Sequence, residues 1–481
     1  MTSSTASRRR RNARPQAAAL LGLMTLSGCG TVASVVGAGP SVEAGQPGYV
    51  RGFLGGVVAD EPRAALVARD VLSAGGTAVD AAVAAGFALS VTLPSRAGLG
   101  GGGACLVYNP ARNTTEAVVF TPQAPGTTGG DRPAAIPLMA RGLFALHTRN
   151  PRRPFEELMA PAEQLARFGT ETSRALANDL AAVSGPLLAD PGAAAAFAPR
   201  GRTLAAGEQL AQPDLGATLA ALRVSGVGDL YQGAMGRRLE QLSPRVGGAL
   251  TVDAMRPALA QVVPPLQMTV VSDTLSFLPP PADGGLAAAV TAQALQAGQP
   301  ADAAAQRGLA AAAAWRRGGT DAATLMANPP AGGAGFGVLP ASTSLVVLDN
   351  AGGAVSCAFT MNNLFGTGRV VPGLGFFLAA APGVGRVEPP LLSAVIVHSR
   401  NLSAFRYAGA SSGQEAAPLA TALPLGRSLV NRAPIAQSLA AVPEPGRGNA
   451  IDCARYLPGD AAQCVAATDP RGAGLAVGGL Q

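Results

Sequence analysis

Residues 342–360 restrict the fold of this chain more than any other stretch, because they predict two antiparallel strands joined by a tight turn. Residues 344–349 are mostly aliphatic and β-branched, residues 350–353 (Asn-Ala-Gly-Gly) have turn chemistry, and residues 354–360 return to a strand pattern. Three hydroxyl residues, Ser342, Thr343 and Ser344, stand at the start of the first strand, after a long segment rich in Gly, Ala and Pro. Taken alone, the pattern is also that of an ordinary surface hairpin.

The composition predicts a large core made of small side chains. Of the 481 residues, 48% are hydrophobic, but only 4% are aromatic and 62 are Gly, so Ala, Val and Leu must fill the core. This length allows two or three domains or one large layered fold. The chain contains no Lys and only two His, His147 and His398. These counts exclude a Schiff-base lysine, a Ser–Lys dyad, a P-loop and most His-based metal sites, and we expect no cofactor.

The N-terminus has the pattern of a bacterial lipoprotein signal peptide. An Arg-rich segment precedes an apolar run, residues 17–26, and the Leu-Ser-Gly-Cys sequence at 26–29 matches a lipobox. About ten apolar residues are too few to span a bilayer. We therefore expect residues 1–28 to be removed and Cys29 to be lipidated. Residues 29–48 would then form a tether on the periplasmic side, at the outer rather than the inner membrane.

The basic charge of the chain belongs partly to this signal. Residues 1–28 contain five Arg and no acidic residue, so their removal lowers the formal net charge from +7 to +2. The rest of the sequence has no basic cluster with interleaved aromatic residues. Nucleic acid is therefore not a predicted partner.

The four remaining cysteines have two kinds of surroundings. Cys453 and Cys464 flank a short polar loop, and in an oxidising periplasm we expect them to form a disulfide. Cys105 and Cys357 lie inside apolar, strand-like runs, and we expect them to be small buried hydrophobic residues. No CxxC or His-rich spacing indicates zinc.

The region before the hairpin predicts helices and a glycine-rich loop. Helices are expected at 62–72 and 308–317, and the capping-box pair Thr77 and Asp80 is expected to open an Ala-rich helix at 78–90. The glycine-rich loop, residues 98–103, precedes a predicted strand. A dinucleotide-binding loop, by contrast, follows a strand and opens a helix. Close backbone packing or main-chain contact with a substrate is therefore the preferred interpretation of this loop.

Residues 75–110 (GGTAVDAAVAAGFALSVTLPSRAGLGGGGACLVYNP) resemble the N-terminal signature of the γ-glutamyltranspeptidase family, whose members are N-terminal-nucleophile hydrolases. The resemblance continues through residues 136–169, 210–222 and 278–285. The stretch from Pro340 to Val370 aligns without a gap with the start of the family's small subunit.

The resemblance implies an α+β fold, a four-layer αββα sandwich with two central antiparallel sheets. It implies a large-subunit-like region, 49–341, ending in a flexible linker, and a small-subunit-like region, 342–481, with the nucleophile at its start. In such enzymes the nucleophilic hydroxyl attacks its own preceding carbonyl, and the amine that is freed, with a pKa of about 8, then serves as general base.

The family's functional residues transfer to the following positions. The nucleophilic threonine corresponds to Ser342, so the expected cut lies between Ala341 and Ser342, with Thr343 as the alternative if the register is shifted by one. The supporting threonine corresponds to Thr360 and the substrate-binding asparagine to Asn362. The paired glycines of the oxyanion hole correspond to Ser412 and Gly413.

The residues that bind the γ-glutamyl head are replaced. The carboxylate-binding arginine corresponds to Thr121 and its two partner serines to Pro390 and Leu391. The glutamine and aspartate that hold the amine correspond to Ala381 and Val384. Each lost charge-assisted hydrogen bond is worth roughly 1.5–3 kcal/mol, so we expect weak γ-glutamyl recognition and an apolar pocket.

Two functions are compatible with these patterns. The first is a self-processing amidohydrolase or acyl transferase, held at the membrane by a lipid anchor. Its substrate would be a small amide or γ-glutamyl-like molecule, and its fragments would stay associated after cleavage. The second is a catalytically inactive family member that serves as a binding or envelope lipoprotein.

Overall fold

The structure is a computed structural model that describes residues 54–127, 129–332, 336 and 339–478. The predicted signal peptide, Cys29 and the tether lie outside the described residues, as does part of the linker before Ser342. Among the residues described, none of the helices combines the length and apolar character needed to cross a membrane.

The described chain contains both helices and strands, which follow one another in short groups. The strands are β1 (Gly55–Ala59), β2 (Gly102–Asn109), β3 (Thr114–Phe120), β4 (Thr170–Glu171), β5 (Gln209–Leu210), β6 (Gln261–Val263), β7 (Leu266–Val270), β8 (Asp273–Phe277), β9 (Ser342–Asp349), β10 (Ala354–Thr360), β11 (Ser393–Ser399), β12 (Ala404–Ser412), β13 (Arg447–Leu457), β14 (Cys464–Thr468) and β15 (Leu475–Gly478). The α-helices are α1 (Pro62–Ser73), α2 (Ala78–Thr92), α3 (Pro94–Ala97), α4 (Met139–His147), α5 (Phe155–Phe168), α6 (Arg174–Leu188), α7 (Pro191–Phe197), α8 (Pro213–Ser225), α9 (Asp229–Gln232), α10 (Ala234–Leu242), α11 (Val252–Met255), α12 (Gly284–Gln296), α13 (Ala301–Arg317), α14 (Ala322–Ala327), α15 (Ala417–Leu429) and α16 (Ile435–Ala440).

Two antiparallel sheets form the centre of the fold. The first has the strand order β15-β1-β9-β10-β2-β3-β6, and the second has the order β14-β13-β12-β11-β8-β7. Strands β9 and β10 are the predicted hairpin, and they are the third and fourth strands of the seven-stranded sheet. Both are buried along their whole length. The interpretation as a surface hairpin is therefore excluded.

Three apolar layers separate four layers of secondary structure. One lies between the helices of 62–258 and the first sheet, one between the two sheets, and one between the second sheet and helices α12, α15 and α16. Alternation along β9 produces this division, since Val347 belongs to the first apolar layer and Val346 to the second. The predicted αββα sandwich is confirmed.

Small residues make this packing possible. Helix α2 is buried on every side, and the predicted capping box of Thr77 and Asp80 opens it. In the glycine-rich loop, a Cβ on Gly101 would lie 2.5 Å from the Thr360 carbonyl oxygen, and one on Gly100 would lie 2.0 Å from the Phe377 carbonyl oxygen. The loop is thus a place of close backbone packing beside the end of β10.

The structure contains two disulfides in the described residues. The bond between Cys453 and Cys464 joins β13 to β14, as the sequence pattern suggests. The expectation that Cys105 and Cys357 are unpaired hydrophobic residues is wrong, because these two cysteines are also bonded to each other. They lie opposite each other where β2 pairs with β10, 252 residues apart in sequence, and this pairing cannot be read from local pattern.

Candidate active site

Ser342 is the first residue of β9 and lies opposite Thr360, the last residue of β10. Its side chain is only 2% exposed. Among the described residues, the Ser342 hydroxyl has no hydrogen-bond partner. Within the described part of the chain, no hydrogen bond holds this hydroxyl away from a neighbouring carbonyl.

Thr360 contacts the carbonyl group that precedes Ser342. Its hydroxyl donates to the Ala341 carbonyl oxygen at 3.0 Å, across the β9–β10 pair. The same hydroxyl oxygen accepts a hydrogen bond from the Asn362 backbone N–H at 2.9 Å. Because the incoming N–H fixes the position of the hydroxyl oxygen, its proton is directed at the Ala341 carbonyl.

Asn362 follows β10 in a left-handed conformation, with φ of 56°. Its Nδ2 donates to the Ala380 carbonyl oxygen at 2.9 Å. Its Oδ1 is buried and has no hydrogen-bond partner in the described part of the chain. An unpaired buried acceptor beside a candidate nucleophile suits a group that binds a ligand donor.

Thr343 points to the opposite face of β9 and is already engaged. Its hydroxyl donates to Asp60 Oδ2 at 3.0 Å, and the same oxygen accepts from the Ser344 N–H at 2.9 Å. The second carboxylate oxygen of Asp60 accepts from Asn449 Nδ2 at 2.8 Å. Asp60 thereby holds the start of β9 in place.

Arg96 contacts the carbonyl oxygen of Ser342, 3.4 Å from its Nη1. Two further nitrogens bind the Asp179 carboxylate, at 2.7 and 2.6 Å, and Ser95 also donates to Asp179 at 2.6 Å. Burial opposes the charge of Arg96, but the bonds to Asp179 and the charges of Asp179 and Asp60 raise the pKa of its guanidinium. A fixed positive charge therefore lies next to the candidate nucleophile.

Sequence reasoning missed Asp60, Arg96 and Asp179. Each is far from Ser342 in the chain, and nothing in its local pattern marks it. Asp60 is the first residue after β1, which pairs with β9, so only the strand order reveals it.

Ser412 and Gly413 lie at the end of β12, which packs on β9 from the second sheet. Gly413 has φ of 118°, a conformation that disfavours any side chain. Within the described residues its N–H donates no hydrogen bond. A free N–H in this position is what an oxyanion hole requires.

Two cavities flank the start of β9. One, of about 520 Å³, is lined by Asp60, Arg96, Arg174, Ser412 and Gly413, among others. The other, of about 570 Å³, is lined by the residues before the predicted cut (Leu339, Pro340 and Ala341) and by Ala380 and Gln414. We call them the Arg96 cavity and the Ala341 cavity. Ala341 lines the Ala341 cavity. Two residues further along the chain, Thr343 is bonded to Asp60, which lines the Arg96 cavity.

The positions of the family's γ-glutamyl clamp are apolar or engaged with the backbone. Leu391 is 2% exposed and belongs to a buried apolar cluster. Ala381 is buried, and its N–H donates to the Pro133 carbonyl at 2.9 Å. Arg132, which the sequence analysis did not identify, lines the Ala341 cavity. Its Nη1 already donates to the Thr367 carbonyl oxygen at 2.7 Å.

No group of three or more His, Cys, Asp or Glu side chains among the described residues is arranged to hold a metal ion. The candidate site contains hydroxyls, amides, the Asp60 carboxylate and the Arg96–Asp179 pair.

The family model for gamma-glutamyltranspeptidase matches residues 64–317. Glutathione hydrolase 3 of Arabidopsis thaliana is 30% identical over 243 residues, which are 48% of this chain and 38% of that protein. The glutathione hydrolase proenzyme of Escherichia coli is 29% identical over 256 residues, 49% of this chain and 44% of that protein. The matches therefore span about two fifths of the length of these curated relatives.

Solved structures extend the likeness to nearly the whole chain. A cephalosporin acylase from Bacillus halodurans superposes with a TM-score of 0.71, covering 91% of this chain and 98% of the acylase at 19% identity. A gamma-glutamyltranspeptidase from Helicobacter pylori superposes with a TM-score of 0.51, covering 59% and 90% at 22% identity. At these identities the superpositions establish the fold alone. The family match, which covers more than half of the sequence, shows that this chain belongs to the gamma-glutamyltranspeptidase family.

Proposed function

We propose that this protein is a self-processing amidohydrolase or acyl transferase whose nucleophile is Ser342. The observation that supports it most is the hydrogen bond from Thr360 Oγ1 to the Ala341 carbonyl oxygen, next to the Ser342 hydroxyl on the adjacent residue. A donor at that oxygen stabilises the negative charge that develops when the carbonyl carbon is attacked.

The proposed self-cleavage runs in two steps. Ser342 Oγ attacks the carbonyl carbon of Ala341 and loses its proton, and the Ala341–Ser342 C–N bond breaks as the nitrogen gains a proton. An ester between Ser342 Oγ and Ala341 results. Water then hydrolyses this ester, which leaves a carboxylate on Ala341 and a free amine and hydroxyl on Ser342.

The mature site would repeat the attack on an external amide. The α-amine of Ser342 takes the hydroxyl proton, the hydroxyl attacks the substrate carbonyl, and the amine leaving group departs with a proton. The N–H of Gly413 and its neighbour Ser412 would stabilise the oxyanion. Water or an acceptor amine then removes the acyl group, and Asn362 Oδ1 is available to bind a substrate donor.

The acyl specificity would differ from that of a γ-glutamyl enzyme. Thr121, Ala381, Val384, Pro390 and Leu391 supply neither a charge nor a side-chain donor, except for the Thr121 hydroxyl. A free amino-acid head would have to be stripped of water without compensating hydrogen bonds.

We also propose that the protein is a lipoprotein on the periplasmic side of the membrane, anchored through Cys29. The lipobox supports this location, and so do two disulfides in the described residues, since disulfides persist in oxidising compartments.

A reducing denaturing gel tests the proposed nucleophile. The wild-type protein should give two fragments, and Ser342→Thr should also be cut, because it keeps a β-hydroxyl. Ser342→Ala should stay whole, whereas Ser438→Ala, which removes a hydroxyl from the remote helix α16, should be cut like the wild type. A wild-type protein that stays whole would favour the alternative, an inactive member of the family.

A further inference from the structure

The chain segment immediately before the predicted cut is seated in an apolar pocket. Leu339 is 2% exposed and shares one buried cluster with four residues of other elements. These four, which we call the Leu391 pocket, are Ala287 of α12, Leu309 and Ala312 of α13, and Leu391 before β11.

Specific contacts fix this segment against its surroundings. Gln414 Nε2 donates to the Leu339 carbonyl oxygen at 2.7 Å, and Thr360 holds the Ala341 carbonyl. The guanidinium of Arg316 lies over the Phe336 ring, 4.5 Å from its centroid. Phe336, Leu339 and Ala341 therefore each have a defined contact along this groove.

Arg316 also ties the groove to the segment that contains Leu391. Its Nη2 donates to the Pro389 carbonyl oxygen at 2.9 Å, and its Nε binds the buried Asp283 carboxylate at 2.6 Å. Burial raises the pKa of Asp283, although Arg316 opposes that effect. The cation that contacts the segment is thus already paired and does not attract a substrate anion.

The Ala341 cavity extends the groove with further apolar surface. Its lining includes Val183, Pro186, Leu187, Leu364 and Val387. The charged groups in that lining also have partners, since Asp131 is bonded by two nitrogens to Arg369 and Arg132 is bonded to Thr367. The groove has the character of a site for an uncharged, apolar group.

We propose that the Leu391 pocket is the acyl-binding site and that Leu339 marks the place of the substrate's acyl chain. The inference rests on the proposed function, because the same hydroxyl attacks Ala341 during maturation and the substrate afterwards. The part of the chain on the acyl side of the cut therefore indicates where an acyl group can lie.

The length of the segment predicts the length of the substrate. Leu339 is two residues from Ala341, a span of about 7 Å for an extended chain. An unbranched acyl chain of about six to ten carbons would reach from the attacked carbonyl into the Leu391 pocket. The predicted substrates are amides of medium-chain fatty acids, without a charged head.

Cleavage would open this site. As long as the Ala341–Ser342 bond is intact, Leu339 fills the pocket. Hydrolysis makes Ala341 a chain end, so that the segment from Leu339 to Ala341 is released from β9 and an acyl group can replace it. A free peptide with the sequence Leu-Pro-Ala should then compete with the substrate.

Turnover of acyl p-nitroanilides by the processed protein tests the proposal. From acetyl to octanoyl, kcat/KM should rise roughly fourfold for each added methylene, the value expected from 0.8 kcal/mol per buried CH₂. γ-Glutamyl and glutaryl anilides should be poorer substrates, with lower kcat/KM, than the hexanoyl anilide. Leu391→Ser should remove this rise of kcat/KM with chain length. Leu325→Ser, the control, should retain the rise with chain length, because Leu325 is a buried leucine of a separate cluster.

A binding measurement tests the pocket without catalysis. In the uncleavable Ser342→Ala protein, Leu339→Ala should open the site and allow octanamide to bind, whereas Ser342→Ala alone should bind it at least tenfold more weakly. Adding Leu391→Ser should abolish that binding. Melting temperatures of the same variants show whether each is folded.

The outcomes separate the two proposals. A preference for γ-glutamyl or glutaryl anilides, no dependence on chain length, or no octanamide binding after Leu339→Ala would overturn the acyl site. If the wild-type protein never cleaves itself but the Ser342→Ala/Leu339→Ala variant binds octanamide, the proposed enzyme is wrong and the pocket is a binding site for apolar chains.

Discussion

Ser342 and Thr343 are adjacent hydroxyl residues, but the alternation of side chains along β9 gives them different surroundings. Thr343 is bonded to Asp60, whereas Ser342 has no partner among the described residues and follows a carbonyl that Thr360 polarises. This geometry, which depends on strands far apart in the chain, supports the proposal of Ser342 rather than Thr343 as the nucleophile.

Ser342, Thr360 and Asn362 could be named from the sequence because they lie within one continuous hairpin match. Asp60, Arg96 and Gln414 could not, because their nearness to Ser342 depends on how the strands are ordered and how the two sheets stack. No local propensity encodes either of these.

Replacing Thr360 tests the polarised carbonyl. Thr360→Ala removes the donor to the Ala341 oxygen, where negative charge develops during attack, so self-cleavage should slow by on the order of 10²-fold. Thr360→Ser keeps the hydroxyl and should process within a few-fold of the wild type. The measurement is the decay of the full-length band with time on reducing gels; equal rates for Thr360→Ala and the wild type would contradict the assignment.

At the scale of elements, the helices and strands expected from the sequence are present, and most extend a few residues beyond their predicted ends. Helix α13 begins at Ala301 rather than 308, because residues 301–307 are mostly Ala, Gln and Arg, which favour a helix. The pairing of β2 with β10, and hence the Cys105–Cys357 bond, could not be predicted, since antiparallel neighbours far apart in sequence share no local signal.

His398 of β11 joins the two sheets and is expected to make stability depend on pH. It is 1% exposed and stacks on Tyr108 of β2, with the ring centroids 4.7 Å apart. Burial, together with the charge of Arg400, lowers the pKa of His398 to about 4.

The direction of this pH dependence follows from proton uptake by the unfolded chain. Between about pH 6.5 and 4 the unfolded histidine binds a proton that the folded one does not, so acid favours unfolding over that range. From pH 7 to pH 5 the wild type should lose about 1–2 kcal/mol more unfolding free energy than His398→Gln, measured by urea denaturation. Parallel losses in the two proteins would show that His398 is not responsible.

At the scale of the whole molecule, the regions before and after the predicted cut both contribute strands to the seven-stranded sheet. Strand β9, on one side of the cut, pairs with β1 from the other side, and β10 pairs with β2. The Cys105–Cys357 disulfide joins the same two regions covalently. The fragments should therefore stay together after cleavage, and in an oxidising compartment they should be linked by a covalent bond.

Gels with and without reductant test this link. Without reductant, processed protein should run as one band, and with reductant it should give two. Cys357→Ala should give two bands under both conditions. Cys464→Ala should behave like the wild type, because its disulfide lies within the region after the cut. Two bands from wild-type protein without reductant would mean that Cys105 and Cys357 are not bonded in solution.

The αββα architecture and the family could both be inferred from the sequence, because the motifs of 75–110 and 340–370 are specific in combination. The chemical character of the proposed acyl site could not, since it depends on Leu339 meeting residues of α12, α13 and the segment before β11.

The position of self-cleavage is the most direct test of the central claim that Ser342 is an N-terminal nucleophile. N-terminal sequencing of the smaller fragment, separated under reducing conditions, should read Ser-Thr-Ser-Leu, beginning at Ser342. A protein that remains a single chain, or a fragment that begins at Thr343 or at any other residue, would contradict the account.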